Sequence, residues 1–428
     1  MRKALLLVAV LAISSAAFGA TYYVATTGSD SNPGSSAQPW RTIQYAVDHT
    51  VAGDTILVRA GSYAGARLEN SGAAGAPKTL TVETPGTVTL NALSPVARHS
   101  GIIEVENYSA AVNYWVIDGF TINGNNHTMR PIDSRSIDGQ DNTHITARNN
   151  TVFDALKTGI SSGHTHYPLI ENNTTYSNAE HGTYTNNSSD YGIERRNLVY
   201  DNYACGMHHN GDKKTGGGDG IMSFWLNEKN IVYGNGTGGG AAINCDGVQD
   251  SKFLNNLAYN NTAGGLTWYY TDSSANCQRD LFYNNTMVFK NGVGRNVVYI
   301  TKGKSLPINN KVKNNILYTN NTAKCSICTY ASGVSGFESD YNVVVDRFSI
   351  NDGRTILTLA TWRTYGYDAH SLISDPATLF VDPANNNFHL KSTSPAINAG
   401  TTLTEVVDDL EGYPRTAGSY DIGCYEYH

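Results

Sequence analysis

Charged residues make up only 16% of this 428-residue chain, below the roughly one quarter that is usual in globular proteins. Runs of like charge are absent, which disfavours a solvated helical or coiled-coil protein. The formal net charge is −7, whereas a general nucleic-acid binder needs a basic footprint, so that class is disfavoured. After the N-terminus no stretch approaches the roughly 18 apolar residues that a membrane span needs. Disorder is disfavoured as well, because 40% of the residues are hydrophobic.

Residues 1–19 have the pattern of a secretory signal peptide. Arg2 and Lys3 supply the positive end, residues 4–13 form the apolar run, and small residues follow at the expected cleavage site. The alternative is a membrane anchor, which the shortness of the apolar run disfavours. We therefore expect an exported protein, either extracellular or periplasmic, that acts as a monomer.

The chain has six cysteines, an even number that permits disulfides in an exported protein. Cys325 and Cys328 form a C-x-x-C pair, but no second pair stands at the spacing of a zinc finger. We expect a structural bridge or simple buried thiols rather than metal binding or redox chemistry.

Short strands that begin with Asn recur along the middle of the chain. They are β-branched, punctuated by Gly and Asn, and lack the 3.6-residue periodicity of helices. Their spacing of 23–33 residues, with insertions of variable length, is typical of a solenoid. The strands begin at Asn150, Asn173, Asn197, Asn230, Asn256, Asn285 and Asn315.

This repeat predicts an all-β fold, a right-handed parallel β-helix, in which stacked turns share one core. The recurring Asn residues are expected to form a hydrogen-bonded ladder at one corner, where Asn also tolerates a left-handed backbone. We predict an N-terminal cap over residues 20–62 with a short amphipathic helix within residues 40–49. The β-helix is predicted over residues 63–345, and a C-terminal capping segment over residues 346–428.

Both ends of the chain resemble the ends of known secreted β-helix proteins. At the N-terminus the resemblance lies in residues 22–25, 28–30, 39–44 and 53–56, and it extends to the cap of the family-nine pectate lyases. At the C-terminus it lies in residues 387–390, 394–400 and 421–427. The resemblance implies a β-helix fold and export, and it favours a polysaccharide lyase.

Two enzyme patterns of such families match this sequence only in part. Family-nine pectate lyases place adjacent Asp residues around calcium with a Lys as base, and here Asp212, Asp219 and Asp246 lie in the right region without forming a dense cluster. Polygalacturonase-like hydrolases carry several motifs, of which only residues 244–246 match. The repeat region contains no Asp-Asp pair.

Polar residues line up when the strands of successive turns are aligned. Because side chains alternate across a strand, one outward column is predicted to hold Tyr184, His208 and Asn244. The next outward column is predicted to begin at Gly163 and to continue through Asn186, Asn210, Asp246 and Tyr269. A shift of one residue would turn His208 inward and His209 outward. The loop 211–220 beside these columns is Gly-rich and carries Lys and Asp, and solenoid insertions commonly form a binding face.

These residues suit the cleavage of a uronate chain by β-elimination, which needs a neutralised carboxylate, a base and an acid. The candidate catalytic residues are His208, Tyr184, His181, Asn244 and Lys213. The candidate substrate-binding residues are Asn186, Asn210, Lys214, Tyr269 and Trp268. The candidate ligands for Ca²⁺, a hard cation that prefers oxygen donors, are Asp212, Asp219 and Asp246.

The sequence therefore predicts a secreted protein whose partner is an acidic polysaccharide, most simply a lyase. A β-helix glycoside hydrolase is the first alternative, with Glu180 and Asp246, or Asp212 and Asp246, as its pair of carboxylates. The second alternative is a non-catalytic solenoid that only binds glycans at the cell surface. Taken singly, each His is better explained as a surface or structural residue than as a catalytic one, and it is their clustering that favours a functional site.

Overall fold

The computed structural model of the chain describes residues 19–99, 101–137, 139–214, 218–290, 292, 294–331 and 334–428. The predicted signal peptide lies outside these residues except for Gly19. None of the helices in the described ranges is both long enough and apolar enough to span a membrane.

Three long parallel sheets wind around a common core, which confirms the predicted parallel β-helix. Sheet 1 contains the strands Thr21–Val24, Thr55–Val58, Lys78–Val82, Asn113–Asp118, Asn142–Arg148, Thr165–His166, Leu169–Glu171, Ile193–Arg195, Leu226–Glu228, Lys252–Leu254, Leu281–Tyr283, Lys311–Lys313 and Glu338–Asp340. Sheet 2 contains Gly61–Ala64, Val88–Ala92, Thr121–Asn123, Thr151–Phe153, Thr174–Tyr176, Leu198–Tyr200, Ile231–Tyr233, Leu257–Tyr259, Thr286–Phe289, Ile316–Thr319, Val343–Val344 and Leu372–Ile373. Sheet 3 contains Ala66–Leu68, Ile103–Val105, Ile132–Ser134, Ile160–Gly163, Thr183–Asn186, Met207–Asn210, Ala241–Asp246, Gly264–Tyr269, Val298–Ile300, Ile327–Thr329 and Phe348–Ser349.

Smaller elements complete the fold. Met222–Ser223 pairs with Val248–Gln249 in parallel, and Phe380–Asp382 pairs with Asn387–Leu390 antiparallel. The helices are α1 (Ile43–His49), α2 (Leu359–Arg363) and α3 (Pro376–Leu379), and a 3₁₀ turn spans Pro383–Asn385.

The predicted asparagine ladder is present and buried. In each step the side-chain oxygen of one Asn accepts both the backbone N–H and the side-chain N–H of the Asn one turn earlier, at 2.9–3.1 Å. The ladder continues one turn beyond the prediction, to Asn342. A second ladder that the sequence reading missed joins Asn178, Asn202, Asn235 and Asn261.

The left-handed backbone at this corner belongs to the residue before each ladder Asn rather than to the ladder Asn itself. Asn255, Asn284 and Asn314 have φ values of 52°, 53° and 57°. Their side chains point away from the core and bind the C-terminal segment, for example Asn284 Nδ2 with the carbonyl of Asp421 at 3.0 Å. In an Asn-Asn pair the two residues therefore have different structural roles.

Helix α1 covers the open N-terminal end, as predicted, with Ile43, Ala46 and Val47 buried. The buried Lys78 binds the C-terminal end of this helix, because its Nζ donates to the carbonyls of Val47 and Thr50 at 3.0 and 2.9 Å. Burial lowers the pKa of Lys78 to about 8. Carbonyls at the end of a helix are a favourable site for a cation.

The C-terminal segment both closes the far end and covers one side of the β-helix. In α2, the buried Trp362 stacks on Phe348 with ring centroids 5.0 Å apart. The chain then packs along the outside of sheet 2, where Leu257, Ile316 and Val343 share a buried cluster with Phe388 and other apolar residues of the segment. The C-terminal segment therefore covers the outer face of sheet 2 in the turns that contain Leu257, Ile316 and Val343. The outer face of sheet 3 contributes no residue to this apolar cluster.

All six cysteines are buried and unbridged: Cys205, Cys245, Cys277, Cys325, Cys328 and Cys424. This agrees with the simpler of the two structural expectations, buried thiols.

Replacing one ladder residue by Ala, as in Asn256→Ala, is expected to destabilise the fold by about 3 kcal/mol or more. The side chain makes four hydrogen bonds, and each buried polar group left unpaired costs about 1–3 kcal/mol. Denaturant unfolding followed by Trp fluorescence measures the change. Asn91→Ala, at an exposed strand position, is the control, and equal effects of the two variants would contradict this role of the ladder.

A buried pair of titratable side chains, His209 and Glu194, lies inside the core. His209 points inward, where its Nδ1 lies 2.7 Å from Thr185 Oγ1 and its Nε2 lies 3.4 Å from the carboxylate of Glu194. Burial lowers the pKa of His209 to about 3 and raises that of Glu194 to about 7. The imidazole is therefore neutral around neutral pH, and the carboxyl loses its proton only near pH 7.

The contribution of Glu194 to stability should fall as the pH rises from about 4.5 to about 7, because the folded state holds the Glu194 proton more tightly than the unfolded state. Glu194→Gln removes this term, so the stability gained by the variant should grow by about 3 kcal/mol across that range. Denaturant midpoints at pH 5 and pH 8 measure it, with the exposed Glu83→Gln as control. A gain that is the same at both pH values would contradict the prediction.

Candidate functional site

The outward columns of sheet 3 have the predicted register. Tyr184 pairs with His208, and His208 pairs with Asn244 on the next turn. In the second column Asn186 pairs with Asn210, and Asp246 pairs with Tyr269. His209 faces the core, so the alternation has the parity that the sequence analysis assumed.

His181, His208, Tyr269 and Asn244 form one hydrogen-bonded chain on this face. His181 Nδ1 accepts the backbone N–H of Cys205 at 3.2 Å, so the neutral ring carries its proton on Nε2. That proton points to His208 Nδ1 at 3.2 Å, and His208 Nε2 lies 3.2 Å from the hydroxyl of Tyr269. Asn244 Nδ2 donates to the same hydroxyl at 2.9 Å.

Burial keeps the two histidines and Tyr269 of this hydrogen-bonded chain uncharged. Burial lowers the pKa of His181 to about 4 and lowers that of His208 well below its usual value. Burial also raises the pKa of Tyr269 well above its usual value. Two neutral imidazoles and a protonated phenol can pass a proton along, but they do not supply a fixed charge.

A groove of about 750 Å³ crosses the outer face of sheet 3 next to this chain. Its floor includes Tyr184 and Ser161, and it contains three cationic side chains, those of Arg130, Arg135 and Lys214. The remaining lining residues are Asp133, Ser134, Ser136, Ile137, Gly163, His164, Asn186, Asn187 and Asp212. The groove is therefore polar and carries more positive than negative groups.

Tyr184 is placed to donate a proton into this groove. Its hydroxyl accepts Asn210 Nδ2–H at 2.9 Å, which fixes its position and leaves its own proton available. Burial raises the pKa of Tyr184, so the phenol is protonated at neutral pH. Asn186 lines the groove as well.

Sequence reasoning missed Arg130, Arg135 and His164. Arg130 and Arg135 flank the strand Ile132–Ser134, one turn before the first aligned strand, and extending the alignment by one turn would have found them. Arg135 pairs with Asp133 at 2.8 Å. Arg130 lines the groove, and its buried Nε has no hydrogen-bond partner within the described ranges.

The loop 211–220 contributes two of its predicted residues to the groove, Asp212 and Lys214. Lys213 instead binds its own loop, with Nζ 2.7 Å from the carbonyl of Gly218. Asp219 accepts the backbone N–H of Ile221 at 2.9 Å. Residues 215–217 lie outside the described ranges.

The three predicted carboxylate ligands are not brought together, and neither is the carboxylate pair of Glu180 and Asp246. Asp246 is buried, and it accepts the backbone N–H groups of Thr271 and Asp272 and the hydroxyl of Ser273 at 2.6–2.9 Å. Its lone pairs thus stabilise a loop. Glu180 lies at the other end of the sheet 3 strands and pairs with Lys157 at 3.5 Å. Within the described ranges, Asp212, Asp219 and Asp246 do not form a three-ligand group.

The structure corrects the assignment of Trp268 as a sugar-stacking residue. Trp268 is in register with the buried Cys245 and is fully buried in the core. Since Thr267 and Tyr269 face outward, alternation requires Trp268 to face inward.

Exposed aromatic rings do exist, but they stack on one another along a corner. The spacing between ring centroids is 4.6–5.0 Å, so neighbouring rings cover each other's faces. This ladder contains Tyr114, His144, Tyr167, Tyr191 and Phe224. Its inner rings present only edges, whereas stacking on a sugar would need a face.

Solved structures of other proteins share this fold along most of the chain. The pectate lyase Pel9A is 15% identical, with 96% of each chain covered and a TM-score of 0.59. XylC, solved with xylose, is 12% identical over 95% of this chain and 98% of its own, with a TM-score of 0.58. A glycoside hydrolase is 9% identical over 83% and 96%, with a TM-score of 0.53. These similarities confirm the right-handed parallel β-helix, and at such identities they establish the fold alone.

No curated protein matches this chain. The sequence profile described as "Periplasmic copper-binding protein (NosD)" matches residues 47–227, which include the groove and, of the hydrogen-bonded residues, His181 and His208. Copper sites favour His and Cys ligands, and the single three-ligand group within the described ranges is His181, Cys205 and His208, with candidate ligand atoms within 4.8 Å of one another. This group does not fit a metal as it stands. A metal on His181 Nε2 would move the ring proton to Nδ1, where it would face the N–H of Cys205.

Proposed function

We propose that this chain is an exported carbohydrate-active protein that cleaves a uronate-containing polysaccharide by β-elimination in the groove on sheet 3. The observation that carries this proposal is the combination of Arg130, Arg135 and Lys214 with a protonated Tyr184 in one groove. A uronate chain bears one carboxylate per sugar, so several cations across a groove match such a ligand. The β-helix neighbours whose names refer to a pectate lyase and a glycoside hydrolase are consistent with a glycan partner.

In this proposal the cations bind and neutralise the carboxylate, which acidifies the proton on the adjacent carbon. Loss of that proton and departure of the glycosidic oxygen create a carbon–carbon double bond. Tyr184 supplies the proton that the leaving oxygen needs, because its hydroxyl is held by Asn210 and stays protonated at neutral pH.

A lyase explains the described groove better than a hydrolase does. Hydrolysis needs two carboxyl groups on either side of the bond. The two carboxyl groups that line the groove are those of Asp133 and Asp212, and the Asp133 carboxylate is held by Arg135, which keeps its other guanidinium N–H groups for a ligand. Glu180, a member of one expected pair, lies at the other end of the sheet 3 strands from Asp246. A glycan-binding solenoid without turnover remains the second candidate, since cations alone suffice for binding.

The first test incubates the protein with pectate, alginate, hyaluronan, glucuronan and neutral plant glycans. We expect ultraviolet absorbance from an unsaturated product on one acidic glycan. Reducing ends without absorbance would identify a hydrolase instead, and binding without either signal would identify a binding protein. Parallel reactions with calcium and with a chelator test the calcium requirement expected from the sequence, for which Asp212 is the candidate ligand that lines the groove.

Tyr184→Phe should lower kcat by about 10²-fold or more, because the leaving oxygen loses its proton donor. KM should change little, since the ring and its packing remain. Tyr203→Phe, at an exposed position outside the groove, is the matched control. Full activity of the Tyr184 variant would contradict the role of this hydroxyl.

Arg130→Gln should lower kcat/KM by about 10- to 100-fold, mainly through KM, because one charge-assisted hydrogen bond to the carboxylate is lost. Arg148→Gln removes a half-exposed guanidinium on sheet 1 and should leave the kinetics unchanged. The same loss in both variants would indicate a general charge effect rather than a contact in the groove.

A further inference from the structure

Asp141 joins two histidines at the margin of the groove. Its Oδ1 lies 3.2 Å from His164 Nδ1, and its Oδ2 lies 3.3 Å from His166 Nε2. His164 follows the sheet 3 strand Ile160–Gly163, so its place is fixed by a rigid element. The sequence analysis assigned no role to these three residues.

The hydrogen bonds fix where the protons lie in this group. His166 Nδ1 accepts the backbone N–H of Asp190 at 3.2 Å, so the neutral ring carries its proton on Nε2 and donates it to Asp141. The two histidine contacts hold the pKa of Asp141 well below its usual value. A carboxylate only accepts, so His164 must carry its proton on Nδ1. Its Nε2 therefore has a free lone pair.

This lone pair lies at the groove and is unsatisfied. His164 is a lining residue, and its Nε2 is buried without a hydrogen-bond partner among the residues that the structure describes. Gly218 lies near the ring, since a Cβ atom on it would be 3.9 Å from His164 Cε1. Buried polar atoms without a partner are rare and costly. A group of the ligand is the partner that this position calls for.

We propose that His164 is the catalytic base and that Asp141 is its positioning residue, an inference that rests on the proposed function. His164 Nε2 takes the proton from the sugar carbon next to the carboxylate. The electron pair of that C–H bond forms the new double bond, the bond from the neighbouring carbon to the glycosidic oxygen breaks, and this oxygen takes the Tyr184 proton. His164 is left as an imidazolium beside Asp141 and Tyr184 as a phenolate, and one proton transfer between them through solvent restores both.

The positions of His164 and Tyr184 suit these two roles. Tyr184 is in register with Ser161, three residues before His164 on the neighbouring strand. At about 3.3 Å per residue the two backbones are offset by roughly 10 Å along the strand direction. Both side chains line the same groove, and the proposal requires them to approach one sugar, the base at one carbon and the acid at the next oxygen.

His164→Asn and Asp141→Asn test the proposal. Both His164 and the control His144 have left-handed backbones, with φ of 48° and 57°, and Asn tolerates that conformation. His164→Asn should lower kcat by about 10²- to 10⁴-fold while oligouronate binding, measured by calorimetry, changes less than threefold. His144→Asn should keep wild-type kcat. Wild-type kcat in His164→Asn would overturn the proposal.

Asp141→Asn should lower kcat similarly without altering the groove. An amide N–H facing His164 Nδ1 would drive the ring proton to Nε2, which then could not accept. The ¹⁵N chemical shifts of labelled protein report this tautomer without substrate. We expect an unprotonated Nε2 of His164 in the wild type and a protonated one in Asp141→Asn. A protonated wild-type Nε2 would overturn the proposal.

The outcomes separate this inference from the proposed function. Turnover that survives in His164→Asn but is lost in Tyr184→Phe would leave the lyase in place and remove only the base. A wild type that forms no unsaturated product on any acidic glycan would overturn the lyase and, with it, the catalytic role of His164. Added imidazole that restores turnover to His164→Ala would support the base directly.

Discussion

The fold depends on buried amide groups that stack along one corner of the β-helix. In each turn the chain bends from sheet 1 into sheet 2 at a buried corner. There the side-chain oxygen of the ladder Asn accepts the backbone N–H of the Asn in the previous turn. Because each oxygen accepts from the turn before, every turn fixes the height and rotation of its neighbour. The register of sheet 3 follows from this constraint, and so does the alignment of Tyr184, His208 and Asn244.

The sequence predicted most of this because the ladder Asn is visible as a repeated letter at a repeated place in each strand. Once Asn173 and Asn197 are aligned, strand alternation decides which residues face inward. The same rule places Trp268 in the core, so its assignment to the sugar site was inconsistent with the column that contained Tyr269. The second ladder was missed because Asn178 and Asn202 stand outside the strands that were aligned.

The groove was harder to predict, since it combines elements that no periodicity links. Arg130, Arg135 and His164 lie in loops before and after strands, and their distance from Tyr184 depends on how those loops fold. Asp246 shows the opposite problem. It lies in a column of outward polar residues, yet its carboxylate oxygens already accept hydrogen bonds from three donors of the segment 271–273. Residue type and strand alternation predict on which face of the sheet a side chain lies. Only its hydrogen bonds show whether its polar atoms are still free to bind a ligand.

The path of the C-terminal segment has a consequence for how the protein reaches its final form. Asp408 contacts Lys229 and Asn255, which precede it by 179 and 153 residues. A chain that folds from its N-terminus can stack its turns one by one, but Leu257, Ile316 and Val343 stay uncovered until the C-terminal segment docks. During that interval the outer face of sheet 2 exposes an apolar surface that invites association with other chains. Folding therefore ends with a docking step, and the protein is most prone to aggregation just before it.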